Sequence, residues 1–240
     1  MIRLLSDLHL EFNAFPRVIE RIGSSQVKYT ILAGDITNNK CKEAHIPALA
    51  RELKKHSEHV IYIAGNHEYY YNQNKTYQDL QQEYKALCDK AGIVWLENSA
   101  FATDNYTFYG TTLWSECNDA AYDAMNDKYA FSKQDILKMH RDAVSKLDRF
   151  VTTYYDPKPL IVVSHHLPSY SLVSQKYKTS PINSGFASNL DHLIRRPIYA
   201  WVHGHSHVPT DTVINGVLVK CNAHGYPREV PEIYPDCKFS

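Results

Sequence analysis

The sequence predicts an α/β fold whose sheet is partly parallel, with an antiparallel part near the C-terminal end. Two patterns and one dipeptide carry that reading. Strand-length apolar runs and helix-length amphipathic segments interleave through the first half of the chain. Ligand-type polar residues gather where the apolar runs stop, which is where sites form in open α/β sheets. Asn215-Gly216, between β-branched runs, marks a two-residue hairpin close to the end.

In chain order, Ile2–Ser6 reads as a buried strand and Lys28–Ala33 as a second, running into Gly34-Asp35. A helical pattern follows over Glu43–His56. Val60–Ala64 (VIYIA) is a β-branched and aromatic run of strand length that stops at Gly65-Asn66. Thr76–Ala91 has helical spacing, with Gly92 as its C-cap. Ile93–Leu96 and Tyr106–Tyr109 are short strands. Lys133–Val151 is a long amphipathic helix with Ile136, Leu137, Val144, Leu147 and Phe150 as its apolar positions. The strand Leu160–Val163 runs into Ser164-His165-His166. Phe186–Ile194 is predicted helical, with Pro197 barring its continuation. Ile198–Val202 is a strand ending in His203-Gly204-His205, and Thr212–Ile214 and Val217–Lys220 flank the hairpin turn. No repeat, low-complexity block or linker marks a boundary, so a single domain over 1–240 is expected. The long, Ser-rich segment Leu167–Gly185, which carries Lys176 and Lys178, reads as a solvated loop or as a cap that helps to choose the leaving group.

Lys plus Arg and Asp plus Glu number 26 each, a formal net charge of zero, so no general attraction to nucleic acid or anionic lipid is expected. Hydrophobic residues at 44% suffice for a sizeable core. No run approaches the ~18 apolar residues of a membrane span. Arg3 interrupts the short apolar stretch at the N-terminus, which lacks the pattern of a signal peptide. Five cysteines, widely spaced and without C-x-x-C, read as reduced thiols and predict a cytoplasmic protein. Thirteen histidines stand out, because imidazole is the commonest metal ligand.

Five strand ends deliver carboxylate, amide and imidazole groups: Asp7 and His9, Asp35, Asn66-His67-Glu68, His165-His166, and Gly204-His205-Ser206-His207. Residues two apart in extended chain point the same way, so Asp7 and His9 are expected to reach one point, as are His205 and His207. This mixed donor set suits Mn²⁺, Fe²⁺ or Zn²⁺ better than Ca²⁺, and the lack of cysteine argues against a structural zinc site.

At these residues the sequence resembles the calcineurin-like metallophosphoesterases, whose pattern is D-x-H, G-D, G-N-H-(D/E), a His after a strand, and G-H-x-H. The matching residues span positions 7 to 207. The resemblance implies a metallophosphoesterase-like β-sandwich flanked by helices, four layers in the order α/β/β/α. It implies two divalent metal ions, Mn²⁺ foremost, with Fe²⁺, Zn²⁺ or Ni²⁺ as alternatives. Asp7, His9 and His207 would hold the first, Asn66, His165 and His205 the second, and Asp35 would bridge both. The implied activity is metal-dependent hydrolysis of phosphomonoesters or small phosphodiesters by in-line attack of a hydroxide shared between the ions. His67 would serve as general acid or transition-state donor, Asp35 would count with it as catalytic, and Glu68 would orient His67 or shape the backbone. Asn66, His166 and His224 would meet the substrate. His224 stands where Arg is usual in the family ending N-P-R-G-Y, and Ile36-Thr37-Asn38 departs from the phosphoprotein, purple acid and dinucleotide branches, which leaves the small generic branch.

A nuclease and a non-catalytic interaction module on the same fold are the alternatives. Zero net charge speaks against the first, and the retained His67 and full ligand set against the second. The expected partner is a small phosphorylated substrate, with nucleic acid less favoured, no membrane, and the oligomeric state left open. Tyr69, Tyr70 and Tyr71 read as packing beneath the rim or as a stacking platform, Trp114 as a wall residue, and His203 as structural. His45, His56, His59, His140 and His192 read as surface residues.

Overall fold

In the computed structural model, which describes residues 1–229 and the backbone of 238–239, the apolar runs build two sheets. The first holds β1 (Ile2–Leu5), β2 (Val27–Ala33), β3 (Ser57–Ile63) and β4 (Val94–Leu96), all parallel, with β11 (Lys238–Phe239) antiparallel beside β1. The second runs in spatial order β5 (Ser99–Ala102), β6 (Thr107–Thr111), β7 (Leu160–Ser164), β8 (Ile198–His203), β10 (Val217–Cys221) and β9 (Thr210–Ile214). Its four inner strands are parallel, and the edges β5 and β9 are antiparallel.

The period of two along each strand decides the layering. Ile31, Ala33, Ile61 and Ile63 of one sheet meet Ile161, Val163, Ala200 and Val202 of the other in a shared apolar layer. The alternate residues point outward. Leu32 and Tyr62 pack beneath α1 (Phe15–Ile22), α2 (Lys42–Leu53) and α3 (Tyr77–Ala91). The short α4 (Asp119–Ala124) precedes α5 (Lys133–Thr152), which covers Val162 and Trp201 on the far side. The result is the expected four-layer α/β/β/α sandwich. Central strands buried on both faces require continuous apolar sequence, and this explains the unbroken VIYI and LIVV runs. A capping box at Thr76 and Asp79 starts α3, and Gly92 (φ 68) ends it.

Phe186–Ile194 is not a helix. Leu167 and Ala187 form a bridge, with Leu167 N–H donating to the Phe186 carbonyl (3.1 Å) and Ser188 N–H to that of Leu167 (3.0 Å). Leu190, Leu193 and Ile194 are buried from turns, and the Ser, Asn and Asp between them favour turn over helix. His140, expected at the surface, is buried, and its Nδ1–H donates to the Leu113 carbonyl (3.1 Å). No helix among the described residues is long and apolar enough to cross a membrane.

The two sheets are tied together where their central strands end. Ser6 bridges to Ala223, with its N–H on the Asn222 carbonyl (3.2 Å) and its carbonyl accepting from His224 (2.9 Å). Asp7 N–H donates to Gly34 (2.9 Å) and Gly204 N–H to His165 (3.0 Å). These bonds set the strand ends side by side.

Candidate metal centre

The chain turns sharply as it leaves the strands. Asp7 (φ 53), His9 (φ 42), Asp35 (φ 54), His205 (φ 70) and His207 (φ 52) all occupy the left-handed region, which is costly for residues other than glycine. Asp7 and His9 thus come together through left-handed turns and not through the extended chain expected, whereas His205 and His207, expected to reach one point, part to different donor sets. Carboxylates hold these turns. Asp7 accepts from His205 N–H (2.9 and 3.2 Å), and Asp35 Oδ1 from His67 N–H (2.9 Å). Glu68 accepts the backbone N–H groups of Asp35 (3.0 Å), Ile36 (2.8 Å), Thr37 (3.3 Å) and Gly65 (2.6 Å), and the Tyr62 hydroxyl (2.7 Å). It therefore shapes the backbone under Asp35. Burial and the nearby Asp35 charge push the Glu68 carboxyl up to about 7. Gly65 lies so close beneath Asp35 that a Cβ there would strike its carboxylate.

Three groups of donor atoms result, Asp7-His9-His207, Asp35-His165-His205 and, sharing His9 with the first, His9-Glu11-His67; the first two make the donor sets that flank Asp35. His207 Nε2 lies 3.0 Å from His9 Nε2 and 3.4 Å from Asp7 Oδ1. His165 Nε2 lies 3.1 Å from Asn66 Oδ1, 3.2 Å from His205 Nδ1 and 3.4 Å from Asp35 Oδ1. Asp35 faces both sets, its Oδ2 standing 3.8 Å from His9 Nε2. Two ligand atoms each about 2.1 Å from one ion are roughly 3.0–3.4 Å apart at right or tetrahedral angles, so the 3.0–3.4 Å separations within each set suit ligands of a common cation, while Asp35 Oδ2 stands somewhat wider from His9.

The hydrogen bonds behind the donors agree. His165 Nδ1–H donates to the Ala33 carbonyl (2.9 Å) and His207 Nδ1–H to Glu229 Oε2 (2.5 Å), which turns the Nε2 lone pairs inward. Asn66 Nδ2 donates to Tyr70 (2.7 Å) and Asp127 (3.0 Å), which turns its carbonyl oxygen inward. With each ring singly protonated in this way, lone pairs converge with no donor among them, and a cation, whether metal ion or proton, is the group that fits. The proton affinities report the same field. Burial opposes charging His165 and His207, but the Asp35 and Asp7 carboxylates override it and raise them to about 10 and about 9. His205, buried against other rings, is held well below the ordinary imidazole value.

His67 stands at the edge of the donor sets. Its Nδ1 lies 2.8 Å from Glu11 Oε1, and its Nε2 lies 3.2 Å from the Tyr226 hydroxyl and 3.9 Å from Asp35 Oδ2. Burial disfavours its charged form, yet the Asp35 and Glu11 carboxylates raise its pKa above the ordinary value. Glu11 works against its own burial, and hydrogen bonds to His67 and His9 hold it down to about 2. Sequence reading misses Glu11, Asp127, Tyr226 and Glu229, although a carboxylate two residues beyond Asp7-Leu8-His9 was a usable signal for the first.

A cavity of about 430 Å³ opens onto Asp35, Asn66, His67, His205 and His207. His166 and His224, expected on substrate, do not line it. His166 is fully buried against Trp114 and His205, and His224 is buried with its N–H on Ser6. Tyr69 is core, Tyr70 lines the cavity, and Tyr71 is exposed. Trp114 is buried against Tyr69, off the lining.

Two donor sets flanking one carboxylate, at the strand ends of a four-layer sandwich, define a class. The chain belongs to the calcineurin-like phosphoesterase family, whose sequence pattern matches residues 2–209. Among similar proteins, the uncharacterized protein L509 of Acanthamoeba polyphaga mimivirus is 28% identical over 261 residues, covering 95% of this chain and 92% of its own. The phosphopantetheinyl hydrolase PptH of Mycobacterium tuberculosis has a similar fold, with TM-score 0.73 and 18% identity, over 100% of this chain and 97% of its own. A dimetal phosphatase from Danio rerio follows at TM-score 0.53 and 15% identity, over 92% and 86%.

Proposed function

We propose that this protein is a dinuclear metal-dependent phosphoesterase that hydrolyses phosphomonoesters or small phosphodiesters. The observation that carries the reading is the convergence of two donor sets on the shared carboxylate of Asp35. Asp7, His9 and His207 would hold one ion, and Asn66, His165 and His205 the other. Mn²⁺ is the first choice for this mixture of carboxylate, amide and imidazole, ahead of Fe²⁺, Zn²⁺ and Ni²⁺. Such an ion pair, when bound, neutralises charge on a phosphoryl group and acidifies water toward neutral pH.

The remaining work falls to the chain's own side chains. Glu11 anchors His67 Nδ1, which aims Nε2 into the cavity beside Asp35. The doubly protonated ring carries an N–H at Nε2, to be given to the oxygen that leaves phosphorus. The Tyr226 hydroxyl accepts at that nitrogen and limits rotation of the ring. The five donors on Glu68 keep the Asp35 turn in register with Gly65 and Asn66. The names of two proteins of similar fold, a hydrolase and a dimetal phosphatase, agree with this reaction class.

The test compares p-nitrophenyl phosphate, bis-p-nitrophenyl phosphate and single-stranded DNA with chelator-treated and Mn²⁺-reloaded protein. Hydrolysis of one of the nitrophenyl esters that vanishes on chelation and returns with Mn²⁺ is expected, with DNA left intact. Full activity in metal-free protein would contradict the proposal.

A further inference from the structure

The cavity wall beside the donor sets is built largely by one loop, and that loop is pinned at its ends and through its second half. Its ends meet at the Leu167–Ala187 bridge. Asn183 Nδ2 donates to the carbonyls of Tyr177 (2.7 Å) and Lys178 (3.3 Å). Asn118 reaches in from the start of α4, its N–H on Ser184 Oγ (3.1 Å) and its amide on the Pro181 carbonyl (3.2 Å). Gly185 packs on Met125, whose side chain a Cβ there would displace. The segment is therefore a fixed wall and not a free strap.

This wall is uncharged, part apolar and part polar. Leu167, Val173, Ile182 and Phe186 face the cavity, with Met125 and Val208 beside them. Ser174, Tyr177, Ser180 and Asn183 of the same loop add neutral polar groups. The Phe186 ring centroid is 4.9 Å from that of His205, so the apolar surface begins at the donor set itself. Among the described residues no Lys or Arg lines the cavity. Lys176 and Lys178, the cations of the loop, are exposed and off the lining, and the sequence of 230–237 contains neither Lys nor Arg. Glu229 adds a carboxylate to the rim.

We infer that the ester taken here carries a single phosphate on an uncharged organic group with an apolar portion, and that Val173, Ile182 and Phe186 select that portion. This rests on the phosphoesterase reading. Two divalent ions set against the Asp7 and Asp35 carboxylates, with His67 and Glu11 offsetting one another, leave roughly two positive charges, and Glu229 at the rim lowers that excess, so one phosphate dianion is as much anion as the site balances. A second anion in the leaving group would be desolvated against aliphatic side chains with no cation to meet it. Nucleoside polyphosphates and nucleic acid are poor occupants for that reason. A neutral chain gains by burial, about fourfold in kcat/KM for each methylene laid on the wall.

Methyl, butyl and octyl phosphate, together with 8-(phosphonooxy)octanoate, test this in Mn²⁺-loaded enzyme. Rates should climb along the alkyl series, and the terminal carboxylate should cost about tenfold or more against octyl phosphate. Val173→Lys and Ile182→Lys should each shift the ratio back toward the carboxylated ester. A parallel NMR titration of chelator-treated protein with 1-octanol and 8-hydroxyoctanoate needs neither metal nor turnover, and the alcohol should bind the more tightly. Flat rates along the series, a preference for the carboxylated ester, or equal binding of the two alcohols would overturn the inference. Selective binding of octanol with no ester hydrolysed would support the wall and count against the phosphoesterase reading.

Discussion

Replacing Asp127 by Ala isolates what the orientation of one amide contributes to ion binding. Asp127 is buried, and its Oδ1 accepts from Asn66 Nδ2 (3.0 Å) and the Tyr70 hydroxyl (2.7 Å). Those bonds hold the Asn66 oxygen 3.1 Å from His165 Nε2. In the variant the amide keeps only its Tyr70 partner and is free to turn its NH₂ toward the ion. A hydrogen bond to a charged acceptor is worth about 1.5–3 kcal/mol, or roughly 10- to 100-fold in affinity. The loss falls on the Asn66, His165 and His205 set, because the bonds of Asp127 reach that set and not Asp7, His9 or His207. Burial already raises the pKa of Asp127, so its removal also relieves a desolvation cost and the fold should tolerate the change. Titration with Mn²⁺ against a competing chelator should resolve two steps, one as in wild type and one weaker by one to two decades. Two unchanged steps, or two steps shifted alike, would refute the reasoning.

His67→Gln should retain both ions while kcat falls about 10²- to 10⁴-fold, since proton delivery is lost and the donors are not; loss of an ion in the same titration would mean that His67 is a ligand. Glu68→Gln sets an amide NH₂ against at least two of the five donors on that carboxylate. Urea unfolding should then show a loss of about 2 kcal/mol or more even after relief of the buried charge, and a neutral substitution would contradict the clamp. Burial lowers the pKa of His140 below its ordinary 6.5, so the unfolded chain takes up a proton that the folded one refuses. Stability should therefore fall as the pH drops below 6.5, and His140→Leu should make the change in urea midpoint between about pH 7 and pH 5 smaller; an unaltered difference would show that His140 titrates normally.

Strands buried on both faces were the most legible parts of the sequence. Val27–Ala33 and Leu160–Ser164 lie within one residue of the runs that announce them. The donors are legible for the same reason, because an apolar run stops where the chain leaves the sheet. Their left-handed turns are not, since Asp7 and His9 carry no glycine to betray a positive φ. Glu11, Asp127 and Tyr226 act across 56, 61 and 159 residues, distances that no local spacing encodes. The spacing of Leu190, Leu193 and Ile194 imitates a helix, while the Leu167–Ala187 bridge takes the backbone bonds that a helix would need. His140 was readable after all: Ile136, His140, Ala143 and Leu147 form one buried stripe on α5 at helical spacing.

The central claim is that one carboxylate joins two ion sites, and counting bound ions tests it most directly. Elemental analysis after Mn²⁺ loading and exhaustive dialysis should give two ions per chain for the wild type, and fewer than two, with activity lost, for Asp35→Asn. Two ions retained by Asp35→Asn, or one at most in the wild type, would contradict it.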